Sequence, residues 1–431
     1  LNRIEQLEPK LGAFQAVYAE DAREAAQAAE KAYRSGHRIG PFHGIPFALK
    51  DIIDIEGRIT TGGSKVMSER ISPATATIAR RLLAAGGILL GKTKTVEVAM
   101  GGWGTNEHMG TPWNPWDLQI PRTPGGSSSG SGVSVAAGLA GCAVGTDTGG
   151  SVRIPSSWCG IVGLKTSEGL LPTDGIIPLS HTLDTPGPMA RCVDDVSLMF
   201  EVMAGRHPID TDLDLERGQG LFGAREAGIK GLRLGVLSED EREGIDAEIL
   251  SLYENAIGVL RSLGAEISVF QMPMRFEDMQ DATGSIIYSE GYYHHGAMYE
   301  DKDATVDPHV RPRILGGRDI SARDYVAALI KRRSDQGEFL NGMRGYTGFV
   351  TPTAAYPAIP LDQVDQKTTP ARFTRATNYL GLCGLSVPMG LTSSGLPGGL
   401  QILARHNEES NAIRVGASFE AAGGGIGHPE L

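Results

Sequence analysis

Three stretches of this chain place reactive side chains in unusual company. Lys50 closes the apolar run "GIPFALK", Ser127 to Ser129 stand in "PGGSSSGSG", and Ser151 follows two glycines in "GTDTGGSVRIP". A serine hydroxyl is a weak nucleophile until a neighbouring base takes its proton, and a lysine can serve as that base only when neutral. Successive backbone N–H groups in a loop such as Gly149-Gly150-Ser151 can converge on an anion, which reads as an oxyanion hole beside a hydroxyl. Taken alone, that segment reads equally as a Gly-rich turn, and "GGSSSGSG" alone reads as a flexible linker.

Other chemistries fit the same residues less well. Gly126 to Gly130 matches G-x-S-x-G with Ser128 at its centre, but that motif must follow a strand, and "IPRTP" with two prolines is poor strand material. A phosphate loop needs a lysine, and none lies between Lys94 and Lys165. The dinucleotide pattern G-x-G-x-x-G breaks at Val135, and no S-x-x-K occurs. His294 and His295 are adjacent without an H-E-x-x-H, so "YSEGYYHHG" reads as a surface or pocket helix rather than a metal site. Counting histidines leaves a Ser-His-Asp arrangement open, although no histidine stands in a motif for one.

The elements around these residues alternate. "AREAAQAAEKAYRSG" is an Ala-rich helix former within a helical segment of about 1–36, and Ile45 to Leu49 form a buried strand presenting Lys50. "ATIARRLLAAGGILLGKT" reads as a helix, a Gly stop and a second strand. "VSVAAGLAGCAVG" carries no charge, so a buried helix of small residues should lead into a buried strand, which no flexible linker does. Later come a helix in "VDDVSLMFEVMAG", a strand in "GLRLGVL", a helix over 246–263 and a strand in "AEISVF". Helices are expected over 322–333 and 409–421, with β-type runs in "GFVTP", "GLSVPMGL" and "GLQILA". The stretch of about 206–228 reads as an insertion. This alternation predicts an α/β fold.

Composition narrows the function classes. The 431 residues carry a net charge of −11 and no basic block, which argues against a nucleic-acid surface. The 58 glycines imply many tight turns or close backbone approaches. Cys142, Cys159, Cys192 and Cys383 lack C-x-x-C spacing and read as buried free thiols of a reducing, cytoplasmic compartment. No window approaches the roughly 18 apolar residues of a membrane span.

Taken together, "GIPFALKDIID", "TPGGSSSGSGVSVAAG" and "GTDTGGSVRIPSSWCGIVGLKTS", with Ser127 and Ser151 separated by 24 residues, resemble the amidase signature family. The likeness extends through "GGILLGKTKTVEVAMGG" and "NYLGLCGLSVPMGLTSSGLPGGLQILA" and so covers most of the chain. It implies one large three-layer α/β/α domain over 1–431 with a central mixed sheet, its catalytic motifs within 45–155. It further implies a Ser, cis-Ser, Lys triad: Ser151 as nucleophile, Ser127 as bridging serine after a cis Gly126–Ser127 bond, and Lys50 as general base. The amides of Thr148, Gly149, Gly150 and Ser151 would bind the oxyanion. Asp147, Arg153 and Ser129 would support the loop. No cofactor and no metal are called for.

By the same analogy the acyl side of the substrate should lie against Met100, Gly101, Gly102, Trp103, Trp158 and Cys159, with Tyr288, Tyr292 and His295 towards the leaving group. The expected activity is hydrolysis of a small or aryl amide through a Ser151 acyl-enzyme, with a small-molecule amide as partner, neither nucleic acid nor membrane, and a homodimer compatible with it. The alternative is the amidase subunit of a glutamine-dependent tRNA amidotransferase. Members of that subgroup carry a "YDGVR"-like motif, and this chain has no "YDG".

Overall fold

A computed structural model describes residues 1–206 and 227–431. Most of the expected insertion over 206–228 therefore lies outside the described residues.

The first half of the chain alternates as expected, with one difference. The segment 1–36 is not continuously helical: α1 (Asn2–Leu11) and α2 (Ala19–Arg34) are separated by a short strand, β1 (Phe14–Val17). Gly12 ends α1 in the left-handed region (φ 57°), and the Glu8 carboxylate accepts the amides of Ala13 and Phe14 at 3.1 and 2.7 Å. That local cap turns the chain outwards, and β1 joins the sheet edge. β2 (Pro46–Lys50), α3 (Thr77–Ala84), β3 (Ile88–Thr93), α4 (Ser129–Ala136), β4 (Cys142–Asp147), α5 (Arg153–Cys159), β5 (Val162–Lys165), β6 (Thr185–Ala190) and α6 (Val193–Ala204) follow.

The second half contains β7 (Arg233–Val236), α7 (Ala247–Ser262), β8 (Glu266–Val269), the long α8 (Phe276–Glu300), α9 (Arg311–Gly316) and α10 (Ala322–Gly342). It closes with β9 (Gly348–Pro352), α11 (Arg372–Tyr379), β10 (Cys383–Leu391), β11 (Pro397–Ala404) and α12 (Glu409–Phe419).

All described strands belong to one 11-stranded sheet in the order β1-β3-β2-β4-β6-β5-β10-β11-β9-β7-β8. It is mixed: β2 runs parallel to β3 and β4, β7 runs parallel to β8 and β9, and the remaining pairs are antiparallel. The pleat divides the central strands between two cores. Phe47, Leu49, Cys142 and Val144 pack with α3 and α6, whereas the intervening Ala48 and Ala143 pack with α1, α2 and α4. Helices thus cover both faces, which makes the three layers. None of the described helices is long and apolar enough to cross a membrane.

The small residues of α4 are required by contact. A methyl group on Gly130 would lie 2.1 Å from the Ala13 carbonyl oxygen and 2.6 Å from the Lys94 nitrogen. The helix that follows the Ser-rich loop is therefore clamped against backbone on its buried side. Gly130→Ala should overpack this contact and lower the unfolding free energy by about 1–3 kcal/mol, read from the denaturant midpoint at unchanged slope.

Candidate active site

Because β2, β3 and β4 are parallel neighbours, their C-terminal ends share one edge, where sites in α/β sheets commonly lie. Lys50 is the last residue of β2, opposite Thr93 of β3, and β4 ends at Thr146 and Asp147. The lysine is completely buried. Its Nζ donates to Ser127 Oγ at 2.7 Å and to Thr146 Oγ1 at 2.8 Å. Desolvation lowers its pKa to about 7, against the raising influence of the Asp184 and Asp147 charges.

Ser127 arrives at this amine through a shaped backbone. The Gly126–Ser127 peptide is cis. Ser127 O accepts from Thr95 Oγ1 at 2.9 Å and from the Val96 amide at 3.3 Å, while the Gly126 amide donates to Gly102 O at 2.8 Å. A methyl group on Gly126 would lie 2.6 Å from the Gly104 backbone, so only glycine fits there.

Ser151 sits in the turn between β4 and α5 and lines a cleft of about 360 Å³. The Ser128 amide donates to Ser151 O at 3.3 Å, which ties the two serine-bearing loops together. Lys50 and Ser127 lie beneath the cleft floor, fully buried, whereas Ser151 and Gly126 face the cleft.

The turn itself is organised by Asp147. Its carboxylate accepts the amides of Gly150 (2.8 Å), Val152 (3.1 Å) and Arg153 (3.4 Å), and pairs with Arg153 Nη2 at 2.8 Å, both side chains being inaccessible to solvent. Burial alone would raise its pKa, but the Arg153 charge and its hydrogen bonds outweigh that and hold the carboxyl at about 2. Arg153 continues to Thr377 Oγ1, Gln401 Oε1 and Asn378 Oδ1, and Thr374 Oγ1 donates to Gly149 O at 2.8 Å.

These contacts correct the expected oxyanion hole at one position. The Gly150 amide is turned to Asp147 rather than to the cleft, because the carboxylate needs it to close the turn. Gly150 has φ 131°, and a methyl group there would meet Thr374 Oγ1 at 2.2 Å. Ser129, expected to support the loop, donates to Lys94 O at 3.4 Å from the start of α4.

Of the expected substrate wall, Met100, Gly101, Gly102 and Tyr288 line the cleft. Trp103, Trp158 and Cys159 do not. Trp103 and Trp158 stack at 5.8 Å with Tyr356 against both rings, and their indole N–H groups donate to Thr368 O and Tyr356 O. They form a buried wedge, a packing role in which each polar handle is satisfied. Cys159 is buried with its thiol on Pro124 O. Tyr292 and His295 are likewise outside the cleft, bonded to Glu300 Oε1 and Pro178 O at 2.6 Å each. Among the described residues no cluster of His, Cys, Asp or Glu is arranged to hold a metal ion.

A family model described as Amidase matches residues 1–412. The chain belongs to the amidase family. Members of the family are hydrolases acting on carbon–nitrogen amide bonds. The chain is 34% identical to the A-type subunit of the glutamyl-tRNA(Gln) amidotransferase of Desulfatibacillum aliphaticivorans, over 98% of this chain and 92% of that one. It is also 34% identical to a 2-amino-5-chloromuconic acid deaminase of Comamonas testosteroni, over 99% and 92%. Among solved structures, it is similar to native peptide amidase from Stenotrophomonas maltophilia, with a TM-score of 0.84 and 27% identity over 100% of this chain and 93% of that one.

Several residues of the site were not read from the sequence. Thr146, which takes the second Lys50 hydrogen bond, lies one residue past the position level with Lys50 in the parallel β2/β4 register, and no local pattern marks it. Thr374, Asn378 and Gln401 were not read, because nothing local marks residues more than 200 positions from Asp147. Asp147→Asn should leave Arg153 buried without a counter-charge and destabilise the fold by about 3–5 kcal/mol in denaturant unfolding at neutral pH. Since the folded carboxyl titrates below its usual range, its contribution is present above the ordinary carboxylate pKa and lost as pH falls towards 2. The wild-type advantage over Asp147→Asn should shrink across that interval.

Proposed function

We propose that the protein hydrolyses a small carboxylic-acid amide to the acid and ammonia or an amine through a Ser151 acyl-enzyme. The observation that carries this reading is the buried amine of Lys50, 2.7 Å from Ser127 Oγ, beneath a cleft that exposes Ser151. Near neutral pH a large share of Lys50 is unprotonated, which is the state a base requires. Ser127 relays: its hydroxyl gives its proton to Nζ while accepting one from Ser151 Oγ as that oxygen attacks the carbonyl carbon. No Ser127–Ser151 hydroxyl bond is drawn in the resting geometry, and such catalytic bonds commonly tighten on substrate binding.

The amides of Thr148, Gly149 and Ser151 remain to hold the developing oxyanion. Return of the proton through Ser127 expels the amine, and water repeats the sequence on the acyl-enzyme. The whole chain works as one catalytic domain on this reading.

A second reading has support in the glutamyl-tRNA(Gln) amidotransferase relatives: the chain would hydrolyse glutamine as the A-type subunit of a glutamine-dependent aminoacyl-tRNA amidotransferase. The missing "YDG" counts against it. A panel of alkyl and aryl amides with glutamine, offered to the protein alone and with such partner subunits, separates the two. Turnover by the protein alone supports the first, and glutaminase activity that requires partners supports the second.

Ser151→Ala should abolish turnover in either case, and surviving hydrolysis would remove the mechanism. Lys50→Ala should lower kcat/KM by about 10²–10⁴-fold at every pH. In the wild type, kcat/KM should rise with pH through an ascending limb near 7, as Lys50 loses its proton.

A further inference from the structure

The chain as a whole is acidic, with net charge −11, but its cleft is not. Three cations, Arg313, Lys367 and Arg375, line it beside a single carboxylate, Asp281. Among the described residues neither Arg313 nor Arg375 has a carboxylate within ion-pair distance, whereas Arg372, one turn earlier on α11, is paired with Glu241 and Glu277.

The two arginines differ in what they already hold. Arg313 donates from Nη1 to Met100 O at 2.9 Å and from Nη2 to both oxygens of Gln366, so it braces the Gly101–Gly102 wall. Arg375 makes one side-chain hydrogen bond, from Nη1 to Gln280 O at 2.9 Å, and lines the cleft. It stands beside the turn that carries Ser151: a methyl group on Gly149 would lie 3.2 Å from Arg375 Cγ and 3.6 Å from Nε. A half-buried guanidinium with open donors is matched by a planar anion that can accept two parallel N–H bonds.

We propose that the amide substrate carries a carboxylate and that Arg375 is its anchor. The inference rests on the amide-hydrolysis reading above and deepens it by naming a substrate class. Because the guanidinium lies next to the Gly149 backbone, the carboxylate and the scissile carbonyl belong to one short molecule, such as the monoamide of a small dicarboxylic acid. Lys367 and Arg313 add attraction without supplying the fork.

Binding to the Ser151→Ala protein tests this apart from chemistry. Calorimetry would compare malonamate, succinamate and glutaramate with 4-methylpentanamide, in which an isopropyl group replaces the carboxylate of succinamate. At least one acid should bind roughly 10- to 100-fold more tightly than the neutral amide, and Arg375→Met should reduce that ratio by a similar factor. Arg375→Lys, which keeps the charge and loses the fork, should fall between and serves if the methionine variant folds poorly. If none of the acids outbinds the neutral amide, or the ratio is unmoved by both substitutions, the proposal is overturned. Hydrolysis of neutral amides by the wild type with no preference for acids would overturn it while leaving amide hydrolysis standing. Tight, Arg375-dependent binding of an acid that the wild type never cleaves would do the reverse.

Discussion

The Asp147–Arg153 pair holds together parts of the chain that share no local sequence. Asp147 ends β4 and Arg153 begins α5, so their contact closes the turn that presents Ser151. The guanidinium then reaches Thr377 and Asn378 of α11 and Gln401 of β11. Two charges taken out of water are costly unless every donor and acceptor is satisfied, and here Arg153 has four different side-chain partners. The pair is therefore better understood as a register device than as a source of net stability. It allows one geometry for the turn, and the position of Ser151 follows from it.

The same burial has the opposite consequence for lysine. Lys50 lies under the same turn without a carboxylate in contact, so desolvation prevails and its pKa falls to about 7. Lys92, also buried, has its pKa lowered too, yet it donates to Asp51 Oδ1 at 3.5 Å, to Thr60 at 2.8 Å and to Ile53 O, acceptors that brace the loop after β2. Lys165 reaches only about 8 and donates to the carbonyls of Thr166 and Leu382. Burial alone does not distinguish these three amines. Lys50 is set apart by its two partners, both hydroxyls, one of which belongs to the loop behind Ser151.

What could be read in advance follows from how far each interaction reaches along the chain. The strand ending at Lys50, the uncharged helix and strand after the serines, and the Gly-rich turn were legible because hydrophobic pattern and turn chemistry are local. The N-terminal strand was obscured by its four-residue length and by the helix formers on both sides. Trp103 was placed on the pocket wall by analogy with the family, but its N–H donates to Thr368 O and its face stacks on Trp158. Tryptophans of this kind are anchors whose partners lie far along the chain, and sequence near them carries no trace of those partners. Arg375 escaped notice similarly, since one arginine in "RFTRATNY" looks like its neighbour until the ion pairs are seen.

The buried aromatic wedge adjoins the cleft, since Ile154 and Ala371 belong to both. Trp103, Trp158 and Tyr356 pack with Ile154 and Ala371 and so join the first half of the chain to the second. Lys50, Ser127 and Asp147 are fully buried and tied by short hydrogen bonds, while Gly149 and Ser151 of the Asp147 turn line the cleft. The cleft wall is completed by side chains from α8, α9 and α11 and from the loop before α11, which carries Lys367. Of these helices, α11 also holds the turn, because Thr374 bonds Gly149 O and Thr377 and Asn378 accept from Arg153. The cleft wall and the turn that presents Ser151 are thus braced by one helix, which fixes Arg375 relative to that turn.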